Sequence, residues 1–466
     1  MNTLTTRTNG CSNPKQIIKN TKIEFMKKYT LRLALVFILA LLGVHSWGQT
    51  TFTLSMTGGG PFNWTSASWV KSGTATTANY PGDNPAGETH IVEITNTGSN
   101  AGRILNLDAS ITQNVSNITI TNGALGRTST LAIGNNILTV SGNLSGNGRL
   151  SFGSGTLNIA GNNTHTGTFT RGTGLVNYNG AAQTVRATTY NNLTLSGSGV
   201  KTAATTPTVN GILSMEGTAT VTVTTGVVTF GGTATLQYNT STNRTASAEE
   251  WITPFAATGG VIIANTGTIT MDAAKVFNAS VPLTINAGSS LSTNNFQLTL
   301  GGNFVNNGGT FAAGSSPIVI TNTMGTQSIV GFTTTGLVSM TKTGGIATFQ
   351  GNVDGGGLTI NGVGGTLNLG TGFTHTFTGD WTRTDGTLNG GSSLLRIGGS
   401  VSGSAGTFTA GTGTVEWYAS GPQTIAGVTY NNLTLSGSGT KTLQGNTNVG
   451  GTLTVNTNTT LALSTF

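Results

Sequence analysis

Chemistry is concentrated in one short stretch of this chain. His375, Asp380, Trp381, Arg383 and Asp385 fall within eleven residues. A Trp beside Asp and Arg can stack on a sugar ring while the charged groups hold its hydroxyls. Asp380 and Asp385 also form a candidate carboxylate pair of the kind that hydrolyses glycosidic bonds. Asp380, Trp381, Arg383 and Asp385 are therefore the candidate glycan-contact residues. The competing expectation is structural. Trp381 would fill the bulky corner slot that Phe304 fills elsewhere, with its charged neighbours in solvent. Glu249-Glu250-Trp251 invites the same pair of readings.

Other templates fail. His165 and His375 both sit in Thr-His-Thr, followed by Phe-Thr-Arg or Trp-Thr-Arg. A motif that recurs in this way points to repetition of a structural position, since a catalytic site is expected once. Asn352-Val353-Asp354-Gly355 is a single loose match to a calcium-binding repeat that needs its Asp in every copy. Ser and Thr are abundant, but no His–acid partner can be assigned to any of them. The expectation is no catalytic residue, no cofactor and no metal.

The elements that carry these residues are legible from composition. The 466 residues include 71 Gly and 1 Cys; 7% are charged and 36% apolar. So little charge argues against charged disorder and coiled coil, and glycine without a three-residue period excludes collagen. One Cys excludes a disulfide scaffold. What remains is an all-β protein rich in Thr, Asn, Ser and Gly.

Met26-Lys27-Lys28 with Arg32, then the apolar run Leu33 to Val44 and Ser46-Trp47-Gly48, reads as a signal peptide over 26–48. Residues 1–25 read as an upstream extension. Seven of the 20 Lys and Arg, but only one of the 13 Asp and Glu, precede residue 49; the remainder carries 13 basic and 12 acidic residues, a net of +1. The positive charge belongs to the leader, so nucleic acid and anionic membrane surfaces are not expected partners. Contact with a membrane is expected only through the leader or through a C-terminal anchor beyond this sequence. Cys11 also precedes residue 49.

The remainder is repetitive. TYNNLTLSGSG occurs word for word at Thr189 to Gly199 and at Thr429 to Gly439. The likeness extends from Gly167 and from Gly406, with a weaker copy from Gly309. Short apolar strands recur 20 residues apart: Leu193 and Leu213, Ile263 and Leu283, Val338 and Leu358, Leu433 and Leu453. A third strand follows at Val221, Leu291, Leu367 and Leu461. Strands of three to five residues between Gly, Asn and Ser corners suit a coil whose faces stack on the next coil about 4.8 Å away. The expected fold is a right-handed parallel β-solenoid over 101–466, of roughly 17–20 coils at ~20–24 residues each. The alternative is a tandem array of small β-sandwich repeats. Aromatics and Pro between Phe62 and Pro85 mark 49–100 as an N-terminal cap. Leu461 to Phe466 stops inside the strand pattern, as in a truncated array.

At TYNNLTLSGSGTKTLQGNTNVGGTLTV the chain resembles the secreted β-strand-repeat, adhesin-like proteins of bacteria. The segment from Glu250-Trp251-Ile252-Thr253-Pro254 through Leu283 resembles another unit of that group. The resemblance covers most of residues 50–466. It implies a pectin-lyase-like parallel β-helix, a secreted or outer-surface location, and a structural, non-enzymatic role in surface contact, with glycans or other cell-surface components as partners. The alternative is a polysaccharide-binding or polysaccharide-degrading β-helix. Ordered Thr rows raise ice binding as a third idea, but the unequal 70-, 75- and 95-residue intervals between copies do not suit lattice matching.

Overall fold

The computed structural model describes residues 48–59, 61–83 and 87–464. The signal peptide and upstream extension read from the sequence lie outside the described residues, apart from Gly48. Among the described residues there are strands and no helix. The chain coils through about 17 turns of a parallel β-solenoid. At about 4.8 Å per turn that is a rod of roughly 80 Å. Stacking is direct: Leu193 pairs with Leu213, Val338 with Leu358, and Leu433 with Leu453. The fourth anticipated pair is offset by two. Ile263 stacks on Ile285 and Val261 on Leu283, because this coil holds 22 residues. Coil length varies from 17 residues, Asn177 to Thr194, up to 26, Glu93 to Thr119.

Alternation within each strand explains the core. In Thr414–Trp417, Val415 and Trp417 are buried while Thr414 and Glu416 reach the surface. The inward residues form one apolar cluster from Phe52 to Leu435. Separate sandwich domains would each close their own core, so this continuity sets the tandem alternative aside.

The corners are held by two devices. In both exact repeats, the Leu-Ser-Gly-Ser-Gly turn has two glycines in the left-handed region, at φ 71° and 69° for Gly197 and Gly199 and 78° and 76° for Gly437 and Gly439. A Cβ on Gly197 would come 2.4 Å from the Gly180 carbonyl oxygen in the coil below. The second device is a corner amide. Asn192 Oδ1 accepts from Ile212 N at 3.0 Å, and Asn432 Oδ1 from Thr452 N at 3.0 Å. Asn143, Asn303 and Asn352 do the same for the coil above them. Each bond satisfies a corner N–H that no strand partner reaches.

The two ends differ. Gln49–Ser55 stacks in parallel on Thr89–Thr95, so regular stacking has already begun inside the segment read as a cap. Its other edge is covered by Val70–Gly73, running antiparallel. Trp64 and Trp69 pack beneath it, ring centroids 5.3 Å apart. In the final coil, Leu453 and Val455 stack on Leu433 and Leu435 but are 46% and 43% exposed.

Candidate functional site

The residues singled out in the sequence do not assemble into a surface cleft. Strand Trp381–Asn389 turns Trp381 and Arg383 inward. Trp381 is fully buried between Leu358 and Val401 on neighbouring coils, 5.3 Å from the Phe408 ring. It presents no face to a sugar. Like Phe304 it fills an inward slot, as the structural expectation had it. The same expectation put the charges in solvent, and for Arg383 that is corrected. Its guanidinium lies 5.5 Å from the Trp381 ring and donates to Gly406 O at 3.0 Å. Residues two apart in a strand share a face, so Arg383 follows Trp381 inward. Asp380 is exposed and acts as a corner residue: its Oδ1 accepts from Ser400 N at 2.7 Å, as the corner asparagines do. Asp385 Oδ1 accepts from the following Gly386 N at 2.6 Å.

His375 and His165 are both internal but occupy different settings, contrary to the expectation of equivalent ones. His375 lies in strand Thr374–Phe377; Nδ1 accepts from Val353 N at 3.2 Å and Nε2 donates to Leu369 O at 2.8 Å. Burial lowers its pKa. His165 lies outside the strands; Nε2 donates to Gly148 O at 2.9 Å and Nδ1 accepts from Arg186 Nη1 at 2.7 Å. Burial, then the Arg186 charge, pulls its pKa down to about 4. His90 Nδ1 accepts from Gly82 N, and its Nε2 meets Glu88 at 3.0 Å. Glu250 is also buried rather than solvated. It faces Arg244 at 3.4 Å and accepts from Tyr238 Oη at 3.2 Å and Ser247 N at 3.0 Å. Burial raises its pKa. Among the described residues, no three His, Cys, Asp or Glu side chains converge as metal ligands.

The most regular internal polar device was missed in the sequence. Gln183 Nε2 donates to Ile159 O at 2.8 Å and to Gly161 O, while its Oε1 accepts from Lys201 Nζ at 2.7 Å. Lys201 Nζ also reaches Gly180 O and Ala181 O, each at 2.6 Å. In the second copy Gln423 donates to Ile397 O and Gly399 O, and Lys441 to Ala419 O and Gly421 O. Gln327 and Lys342 repeat the arrangement in the weaker copy. The signal was present, because each copy carries Gln before Thr or Ser and Lys before Thr. These polar groups tie coil to coil inside the rod.

The outer faces are the surface left for contact. One face, built from strands between Phe332 and Val455, carries an aligned outward row: Thr333, Asp354, Thr376, Arg396, Glu416, Thr434, Thr454. Arg396 Nε donates to Glu416 Oε2 at 2.8 Å, and Ser436 Oγ to Glu416 Oε1 at 2.6 Å. Burial pulls the Glu416 carboxyl upward, but the bonds from Arg396 and Ser436 outweigh it and hold it below its usual value. Tyr418 lies beside the row, its ring centroid 4.7 Å from the Arg396 guanidinium. Compared with protein-family models, curated proteins and solved structures, the chain matches none.

Proposed function

We propose that this is a secreted or surface-displayed, adhesin-like structural protein: a stiff, non-enzymatic rod that holds repeated Thr-, Asn- and Ser-rich faces out for contact with glycans or other cell-surface components. The single core running from Phe52 to Leu435 is the observation that carries this reading. A rod without internal hinges keeps its faces in fixed register, which favours many weak contacts acting together. The titratable groups support it as well. His165, His375, Arg383, Glu250 and Lys201 are bound into the interior. Shape by itself does not distinguish a contact protein from an enzyme, so the reading needs a functional test. Beads coated with the folded chain should adhere to a polysaccharide-bearing surface more than beads coated with heat-unfolded chain. Equal adherence, or bond cleavage in soluble polysaccharide by the purified chain, would overturn the proposal.

A further inference from the structure

The two long repeat copies can be laid over one another residue by residue. Inside, the second copy reuses the first: Gln183 and Gln423, Tyr190 and Tyr430, Asn192 and Asn432, and Lys201 and Lys441 make corresponding bonds. Outside, one row changes. In the first copy it reads Thr139, Asn158, Asn177, Thr194, Ser214. Its amides link coil to coil: Asn158 Nδ2 donates to Thr139 Oγ1 at 3.2 Å, Asn177 Nδ2 to Asn158 Oδ1 at 3.2 Å, and Ser196 Oγ to Asn177 Oδ1 at 2.7 Å. In the second copy Arg396 stands where Asn158 does, Glu416 where Asn177 does, and Tyr418 where Asn179 does. The scaffold is therefore satisfied by a neutral amide row, and folding does not call for the charged, aromatic one.

The replacement has a definite chemistry. Tyr418 is held flat: Oη donates to Phe377 O at 3.3 Å, and the ring crosses Gly398, where a Cβ would lie 3.0 Å from Cζ. The Arg396 guanidinium continues this flat surface. Only its Nε is committed to Glu416, which leaves both Nη groups for a ligand. Flat aromatic and guanidinium surfaces suit the C–H faces of sugar rings, and charged groups make the stronger hydrogen bonds to hydroxyls. Asp354 extends the row two coils below Arg396. From Asp354 to Glu416 is three coil steps, about 14 Å at the parallel-sheet spacing. That length suits several units of an extended chain better than a single sugar. Asp354, Arg396 and Glu416 sum to a charge of −1, which disfavours an anionic polymer.

We propose that Asp354, Arg396, Glu416 and Tyr418 form a contact site for a neutral polysaccharide chain lying along the solenoid axis. This deepens the surface-contact reading above and rests on it. The test is affinity electrophoresis of the full chain in gels containing soluble β-glucan, galactomannan or, as the anionic arm, alginate. The wild type should be retarded by at least one neutral polymer. Combining Arg396→Asn, Glu416→Asn and Tyr418→Asn installs the residues of the first copy; it should keep the far-UV spectrum and weaken binding at least tenfold. Tyr418→Ala alone gives a milder variant that tests the site if the triple change misfolds, and it too should lower retardation. Retardation by alginate alone, by no neutral polymer, or equally for wild type and folded variants would overturn the site. Bead adherence separates this failure from that of the broader reading: wild-type beads that adhere without any neutral-polymer retardation sink the site and leave the surface role standing.

Discussion

The repeat copy beginning at Gly167 and the one beginning at Gly406 share a scaffold and differ in where they keep their charge. In the first, Arg186 and His165 bond to each other inside the rod, and the outward row is amide. In the second, Ala426 occupies the position of Arg186 and Ser404 that of His165, while Arg396 and Glu416 pair on the outside. What the copies share marks what the coil requires: a corner Asn, a left-handed Gly pair, and an internal Gln and Lys bonded to carbonyls. What differs marks positions that the fold leaves open to selection for other ends.

The largest expected difference between the copies comes from their place along the rod. Leu213 and Leu453 stand in equivalent positions one coil beyond the repeated words, yet Leu213 is fully buried and Leu453 is 46% exposed. Leu213→Ala should cost about 2–5 kcal/mol through a cavity, and Leu453→Ala under about 1 kcal/mol. Urea unfolding of both variants checks this. Equal losses would break the comparison by showing that the final coil is covered in solution.

A pH difference should follow. The folded-state pKa of His165 is about 4, below its ordinary value of 6.5. As pH falls from 6.5 the unfolded chain takes up the proton first, so folding stability is full above about 6.5. It falls progressively to about pH 4, by up to about 3 kcal/mol. Amide exchange around 163–190 should accelerate over that window, while exchange around 404–430 stays nearly level. His165→Gln should flatten the profile; if both copies loosen together in the wild type, His165 is not the cause.

The smallest effect concerns the corners. Asp380→Asn keeps the side-chain oxygen that accepts from Ser400 N, so it should shift stability by under about 0.5 kcal/mol. Asp380→Ala removes that acceptor and should cost about 1 kcal/mol, as should Asn192→Ala. Thermal unfolding that ranks Asp380→Asn with Asp380→Ala would show that the negative charge, rather than the acceptor, matters at this corner.

Much of the fold could be read from the sequence because solenoid physics is local and periodic. Leu193 and Leu213 reveal the stacking by spacing alone, and Asn192 announces its corner. The slip at Ile263 arose because 22 residues, not 20, fill that coil, and a two-residue error preserves inward parity. The polar interior was harder. Lys201 lies on the inward face of Val200–Thr205 beside Ala203, where a lysine looks misplaced until the carbonyls that surround it are known. Those carbonyls belong to residues roughly twenty positions earlier, beyond the reach of strand alternation. Parity would have turned Arg383 inward with Trp381, but charge drew attention to the surface instead. The Arg396–Glu416 row was missed for a related reason. Its members are twenty residues apart in sequence and meet only after the register is set.

The caged lysines have a practical consequence. Lys201, Lys275, Lys342 and Lys441 are 0–1% exposed, whereas Lys71 sits in the exposed strand Val70–Gly73 at the N-terminal edge. Amine-directed coupling reagents would therefore find their side-chain handle, among the described residues, at one extremity. Molecules grafted through it onto a chip or particle would all stand the same way up, like bristles, with their last coils pointing outward.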